Sequence, residues 1–220
     1  MRYHTPSLEE IDRAHQVFEA NEPRWLFYRA ATELVDLAMR RASSLTLAEA
    51  LGVLLQTWNV SFYRFHREFD HQHLLDIEDL LTSHEPVLLR FRHRSIGSLS
   101  PADLQAARTL FQRFEEVLGT IGASKALHLL APRFFPLWDR GIATKGYHLN
   151  LRKVGRNADT YCRFMEITKA QCDELGSGDA IGRNLLKAID EYNYCKYTRG
   201  WIRDNDTANQ VSAPTRRQGI

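Results

Sequence analysis

Lys125 and Asp139 are the two side chains whose type and setting best suit chemistry on an anionic substrate. Lys125 follows Leu118-Gly119-Thr120-Ile121-Gly122-Ala123-Ser124, where two glycines and a threonine interrupt a helical neighbourhood. The apolar pattern resumes after Gly122, so a new helix is predicted to open there. Its first turn carries unpaired backbone N–H groups and the positive end of the helix dipole, which together attract an anion. Lys125 adds a formal positive charge to that turn. Asp139 follows Phe134-Phe135-Pro136-Leu137-Trp138 and precedes a predicted short helix from Arg140 to Ala143. A carboxylate there caps the helix. Close in sequence to a candidate phosphate grip, it is also a candidate for a second role beyond capping.

The elements that must position these residues are helices throughout. Ser7-Leu8-Glu9-Glu10 reads as a helix start, Pro23 opens a second helix to about Arg41, and Thr46 caps a third. Gln56 to Phe65 is aromatic-rich, but no partner strand lies near it, so it reads as a helix end and the next helix. His71 and His73 beside Asp70 lack a third ligand at metal spacing, and the segment reads as a polar loop or helix start. Asp76 to Leu81 looks helical, and Pro86 is expected to open a further short helix. Ser100-Pro101-Ala102-Asp103 starts the helix that feeds into Leu118. After a basic irregular stretch from Gly141 to Gly155, two more helices run over Asn157 to Leu175 and Arg183 to Tyr197. The polar tail from Arg203 is expected to be disordered. The class is all-α, with eight to eleven helices.

Composition excludes several classes. The chain is 44% hydrophobic and 25% charged, an ordinary globular balance. No apolar run is long enough for a membrane span and no leader pattern follows Met1, so a cytoplasmic protein is expected. Cys162, Cys172 and Cys195 give neither a disulfide framework nor a metal pattern, and no metal or cofactor is expected. The net charge of +2 does not by itself indicate nucleic acid. Two basic clusters flank the central motif, however: Arg90, Arg92, His93 and Arg94, then Lys145, Arg152, Lys153 and Arg156. They favour a polyanionic partner. No obligate protein partner is evident.

The region from about Leu47 to Ile142 resembles the core of the helix-hairpin-helix DNA glycosylase superfamily. Members carry a hairpin of the type Leu-Pro-Gly-Val-Gly-x-Lys/x-Thr-Ala, an apolar helix, then a catalytic Asp with Val or Ile three residues on. Leu118 to Ala126 is similar to that hairpin, Asp139 with Ile142 to the second part, and Gln56-Thr57 to a Gln-Thr segment near the start of the core. Gly119 stands at the hairpin proline and Thr120 at its first glycine, and the interval to Asp139 is short. With Gly122 and Ala126 in register, Ser124 falls where bifunctional members keep a nucleophilic Lys, and Lys125 is displaced by one. The resemblance therefore implies a monofunctional glycosylase acting on a damaged or modified base flipped out of DNA, in repair or in defence against phage DNA.

It further implies two helical subdomains with a DNA-binding cleft between them: 46–139 as the hairpin core, and 1–45 with 140–202 as the second unit. Asp139 and Lys125 are the catalytic candidates. Gln56, Asn59, Thr120, Gly122, Ser124 and Lys125 are expected on DNA, and Trp58, Tyr63 and Trp138 around the extruded base. The same features leave open a non-catalytic DNA-binding protein that uses the hairpin as a phosphate clamp, or a helical protein-interaction domain.

Overall fold

A computed structural model describes residues 3–176 and 182–203. Those residues form eight α-helices and no strand: α1 (Leu8–Asn21), α2 (Trp25–Met39), α3 (Leu47–Trp58), α4 (Val60–Phe65), α5 (His71–Arg92), α6 (Pro101–Leu130), α7 (Ala158–Leu175) and α8 (Leu185–Asn193). The expected all-α class is borne out. The start signals read in the sequence operate as their chemistry demands. Ser7, Thr46 and Ser100 each accept from the backbone three residues on, and Glu10, Glu49 and Asp103 reach back to complete capping boxes. None of the described helices is long and apolar enough to cross a membrane.

The structure corrects three expectations. Asp76–Leu81 and the segment after Pro86 belong to one helix, α5, with Pro86 inside it. Packing of Ile77, Leu80, Leu81, Leu88 and Phe91 into the core holds that helix together across the missing N–H. The C-terminal helix stops at Asn193, and a wider π-helical turn over Tyr194–Thr198 replaces its expected end. The break before Lys125 is a single residue, Gly119, with φ +72° and ψ 167°, so helical backbone resumes at Thr120 instead of after Gly122. The expected disordered tail, from residue 204 onward, lies outside the described residues.

Most buried apolar side chains join one core, to which α2 contributes Tyr28, Ala31 and Val35, α6 Phe111, Phe114 and Leu127, and α7 Tyr161 and Phe164. A smaller cluster of Ala14, Phe18, Tyr192, Cys195 and Ile202 joins α1 to the C-terminal segment. The three cysteines are free and buried. The two chain ends thus pack on each other, and their junction forms one wall of the cavity described next.

Candidate functional site

Two glycines shape the turn between the halves of α6, for different reasons. Gly119 has a backbone conformation open almost only to glycine, and a Cβ there would stand 2.6 Å from Phe62 Cδ2. Gly122 is helical, but its Cβ would lie 2.5 Å from Asn59 Nδ2. That amide donates to the Leu118 carbonyl at 3.0 Å, satisfying a carbonyl that the break at Gly119 frees. Gly122 and Asn59 therefore build the turn from inside.

The segment carrying Asp139 is tied to the second half of α6. Trp138 Nε1 donates to the Thr120 carbonyl at 3.2 Å, Ser124 Oγ to the Trp138 carbonyl at 3.4 Å, and Tyr161 OH to the Pro136 carbonyl at 2.8 Å. These bonds bring Asp139 and Lys125 to the same cavity. Its volume is about 360 Å³, and Trp58, Asn59, Ile121, Lys125, Asp139 and Asp190 are among the residues lining it.

Asp139 caps the following turn, as the sequence suggests: Oδ1 accepts from Ile142 N–H at 2.7 Å. It also accepts from the Thr198 hydroxyl, which stands 2.8 Å from Oδ1 and 2.7 Å from Oδ2. Burial raises the Asp139 pKa; the Ile142 and Thr198 hydrogen bonds oppose that rise, the Asp190 charge adds to it and the Lys125 charge counters it. Lys125 is 8% exposed, and Nζ donates to the Trp58 carbonyl. Desolvation pushes its pKa down to about 8, against the attraction of Asp139 and Asp190. The cavity thus holds an amine whose pKa is lowered and a carboxyl whose pKa is raised, a pattern that often marks functional sites.

Other expected site residues lie elsewhere. Ser124 is fully buried one turn into the helix, with its hydroxyl on the Ile121 carbonyl at 3.0 Å, and does not line the cavity. Tyr63, expected at the base pocket, packs on Phe69 and hydrogen-bonds His73 Nε2 at 3.2 Å. Gln56 is exposed and shares a separate surface depression with Tyr63. Trp138 is 1% exposed and embedded among Phe111, Tyr161 and Phe164, so it is mainly a core anchor that contributes to the cavity wall. Thr120 points to Glu115, to which its hydroxyl donates at 2.6 Å. Trp58 stacks on Tyr28 at 5.8 Å between centroids and also lines the cavity.

The structure adds residues from both chain ends that the sequence reading missed. Glu22, Arg24, Asp190, Tyr194, Thr198 and Arg199 complete the wall. Arg24 grips Glu22 with two 2.8 Å hydrogen bonds and holds its carboxyl down to about 2. Behind Asp190, Lys187 donates to it at 2.6 Å inside a box of Phe18, Trp25, Tyr28 and Trp58 rings, 4.6 to 5.3 Å from the ammonium. The one available signal was in α8, where Lys187, Asp190 and Glu191 occupy positions that apolar neighbours would fill. Among the described residues no cluster of His, Cys, Asp and Glu could hold a metal ion. No family model matches the chain, and no curated protein or solved structure matches it.

Proposed function

We propose that the chain is a DNA glycosylase that hydrolyses the N-glycosidic bond of a damaged or modified base flipped out of DNA. The supporting observation is that Asp139 and Lys125 line one cavity beside the turn at Gly119. In this reading the helices form two units, 46–139 and 1–45 with 140–202, with the cavity between them and the turn acting as the hairpin. A base within a duplex is shielded, so it must leave the stack and enter a pocket. The first turn after Gly119 holds a phosphate through backbone N–H groups, which fixes the strand without reading sequence. Trp58, backed by Tyr28, offers a face for the extruded base, and such stacking contributes about 1–3 kcal/mol.

The base leaves with the electrons of the glycosidic bond. Positive charge then develops on the sugar, and ionised Asp139 stabilises it. Water adds to C1′ and passes its proton to Asp139. Incubation with duplexes carrying lesions or modified bases is expected to yield alkali-labile abasic sites, and Asp139→Asn to abolish them while DNA binding persists. Binding by wild type without release of any base would favour the non-catalytic phosphate clamp. Absence of binding to single- and double-stranded DNA would remove both readings and leave a protein-interaction domain.

One observation favours a second form of the reaction. Lys125, not Ser124, lines the cavity, and its pKa lies near 8. A neutral amine there is a nucleophile for C1′: the C1′–N bond forms as the glycosidic bond breaks and the base leaves with its electrons. The nitrogen gives up a proton, and opening of the sugar ring leaves an imine between the sugar and Lys125. Borohydride traps that species as a stable adduct. An adduct that is lost in Lys125→Gln would make the enzyme bifunctional; base release without an adduct keeps it monofunctional.

A further inference from the structure

The two basic clusters flanking the central motif have different fates. Arg92 donates to Asp36 at 2.8 Å and to the Leu130 carbonyl at 2.9 Å. Arg94 grips Asp103 with hydrogen bonds of 2.6 and 2.8 Å. The charges of that cluster's arginines at 92 and 94 are spent on structure. Arg152, Lys153 and Arg156 are exposed, and none forms an ion pair with a carboxylate among the described residues.

A loop with unpaired charges would ordinarily be only a solvated surface. This one is fastened to the turn at Gly119. Asn157 is fully buried, and its side chain accepts from Arg152 N–H at 2.6 Å and donates to the Arg152 and Lys153 carbonyls at 3.2 and 3.1 Å. The same amide nitrogen lies 2.5 Å from Glu115 Oε1 and 3.2 Å from Thr120 Oγ1. Asn157 N–H donates to Glu115 Oε2 at 3.1 Å, and Thr120 donates to Oε1 at 2.6 Å. One buried network therefore orders the loop backbone and fixes it beside Thr120. Ordering lowers the entropic cost of binding, because the charges are held in place before the partner arrives.

We propose that Arg152, Lys153 and Arg156 form a second phosphate-binding surface, which takes the DNA backbone next to the segment held at the Gly119 turn. The inference rests on the DNA reading above but not on base excision. Each phosphate contact of this kind contributes about 0.9 to the slope of log affinity against log salt. Fluorescence anisotropy of the full chain with an end-labelled duplex, over a salt series, measures that slope. Combined Arg152→Ala, Lys153→Ala and Arg156→Ala is expected to flatten it by about 2–3 and to weaken binding equally across sequences. Arg41→Ala, Arg163→Ala and Lys169→Ala remove the same charge elsewhere and are expected to leave the slope close to wild type. An unchanged slope in the loop variant, or an equal change in both variants, overturns the proposal while leaving the glycosylase reading intact. Failure of the wild-type chain to bind DNA at low salt overturns both.

Discussion

Thr198→Val tests whether the C-terminal turn sets the ionisation of Asp139. The substitution keeps the side-chain shape and removes the hydroxyl that lies 2.8 and 2.7 Å from the two carboxylate oxygens. Ile142 N–H remains as a donor at 2.7 Å. A hydrogen bond to a charged group contributes about 1.5–3 kcal/mol, and this one favours the ionised form. Its loss raises an Asp139 pKa that burial has already lifted above 3.8. A carboxyl whose pKa is raised by folding binds more protons in the folded state. Stability from this group is therefore greatest below the unfolded value and is lost as pH rises through the folded one. Thr198→Val should cost about 1.5–3 kcal/mol at pH 8 and clearly less near pH 4. Urea unfolding of both proteins across that range reads the difference, and carbon-13 NMR of the Asp139 carboxyl reads the titration without reference to activity. Thr198→Ser keeps the hydroxyl and should follow wild type. A penalty independent of pH, with an unmoved Asp139 titration, would refute the reasoning. If base release needs ionised Asp139, the rise of activity with pH moves upward in Thr198→Val.

Lys187→Met should destabilise by about 3–5 kcal/mol in urea titrations, because Asp190 stays buried without its cation. Adding Asp190→Asn should restore part of that loss, and a cost below about 1 kcal/mol for the single change would contradict the arrangement. Gly119→Ala should cost at least about 1–3 kcal/mol, from strain at φ +72° and collision with Phe62, measured as a shift in the unfolding midpoint. His128 is fully buried between the Tyr28 hydroxyl and the Phe135 carbonyl, each at 2.8 Å, and desolvation holds its pKa near 3. Its depressed pKa means stability falls as pH drops below 6.5, by about 2 kcal/mol at pH 5. His128→Gln should flatten that part of the pH profile of the unfolding free energy.

Local chemistry was legible where it acts locally. Capping boxes at Ser7, Thr46 and Ser100 satisfy helix ends within three residues, so the sequence alone reveals them. Asp139 as a cap, and a backbone break near Gly119, were legible for the same reason. Pro86 misled because a local breaker was overruled by burial of the helix on both sides of it. The break was placed a turn late because spacing cannot tell a glycine that bends the chain from one, Gly122, that makes room for Asn59.

The sequence by itself determined the helical class, the capped helix starts at Ser7, Thr46 and Ser100, and the closeness of Lys125 and Asp139 to one turn. Tertiary structure alone decided which side chains share a cavity. Rotation along a helix turned Ser124 into the protein and Lys125 toward Asp139, and sent Tyr63 to another face from Trp58. It also brought Thr198, Asp190 and Arg24 from the two chain ends to that cavity. Contacts between residues far apart in sequence follow from how apolar faces pack, and no local spacing records that packing.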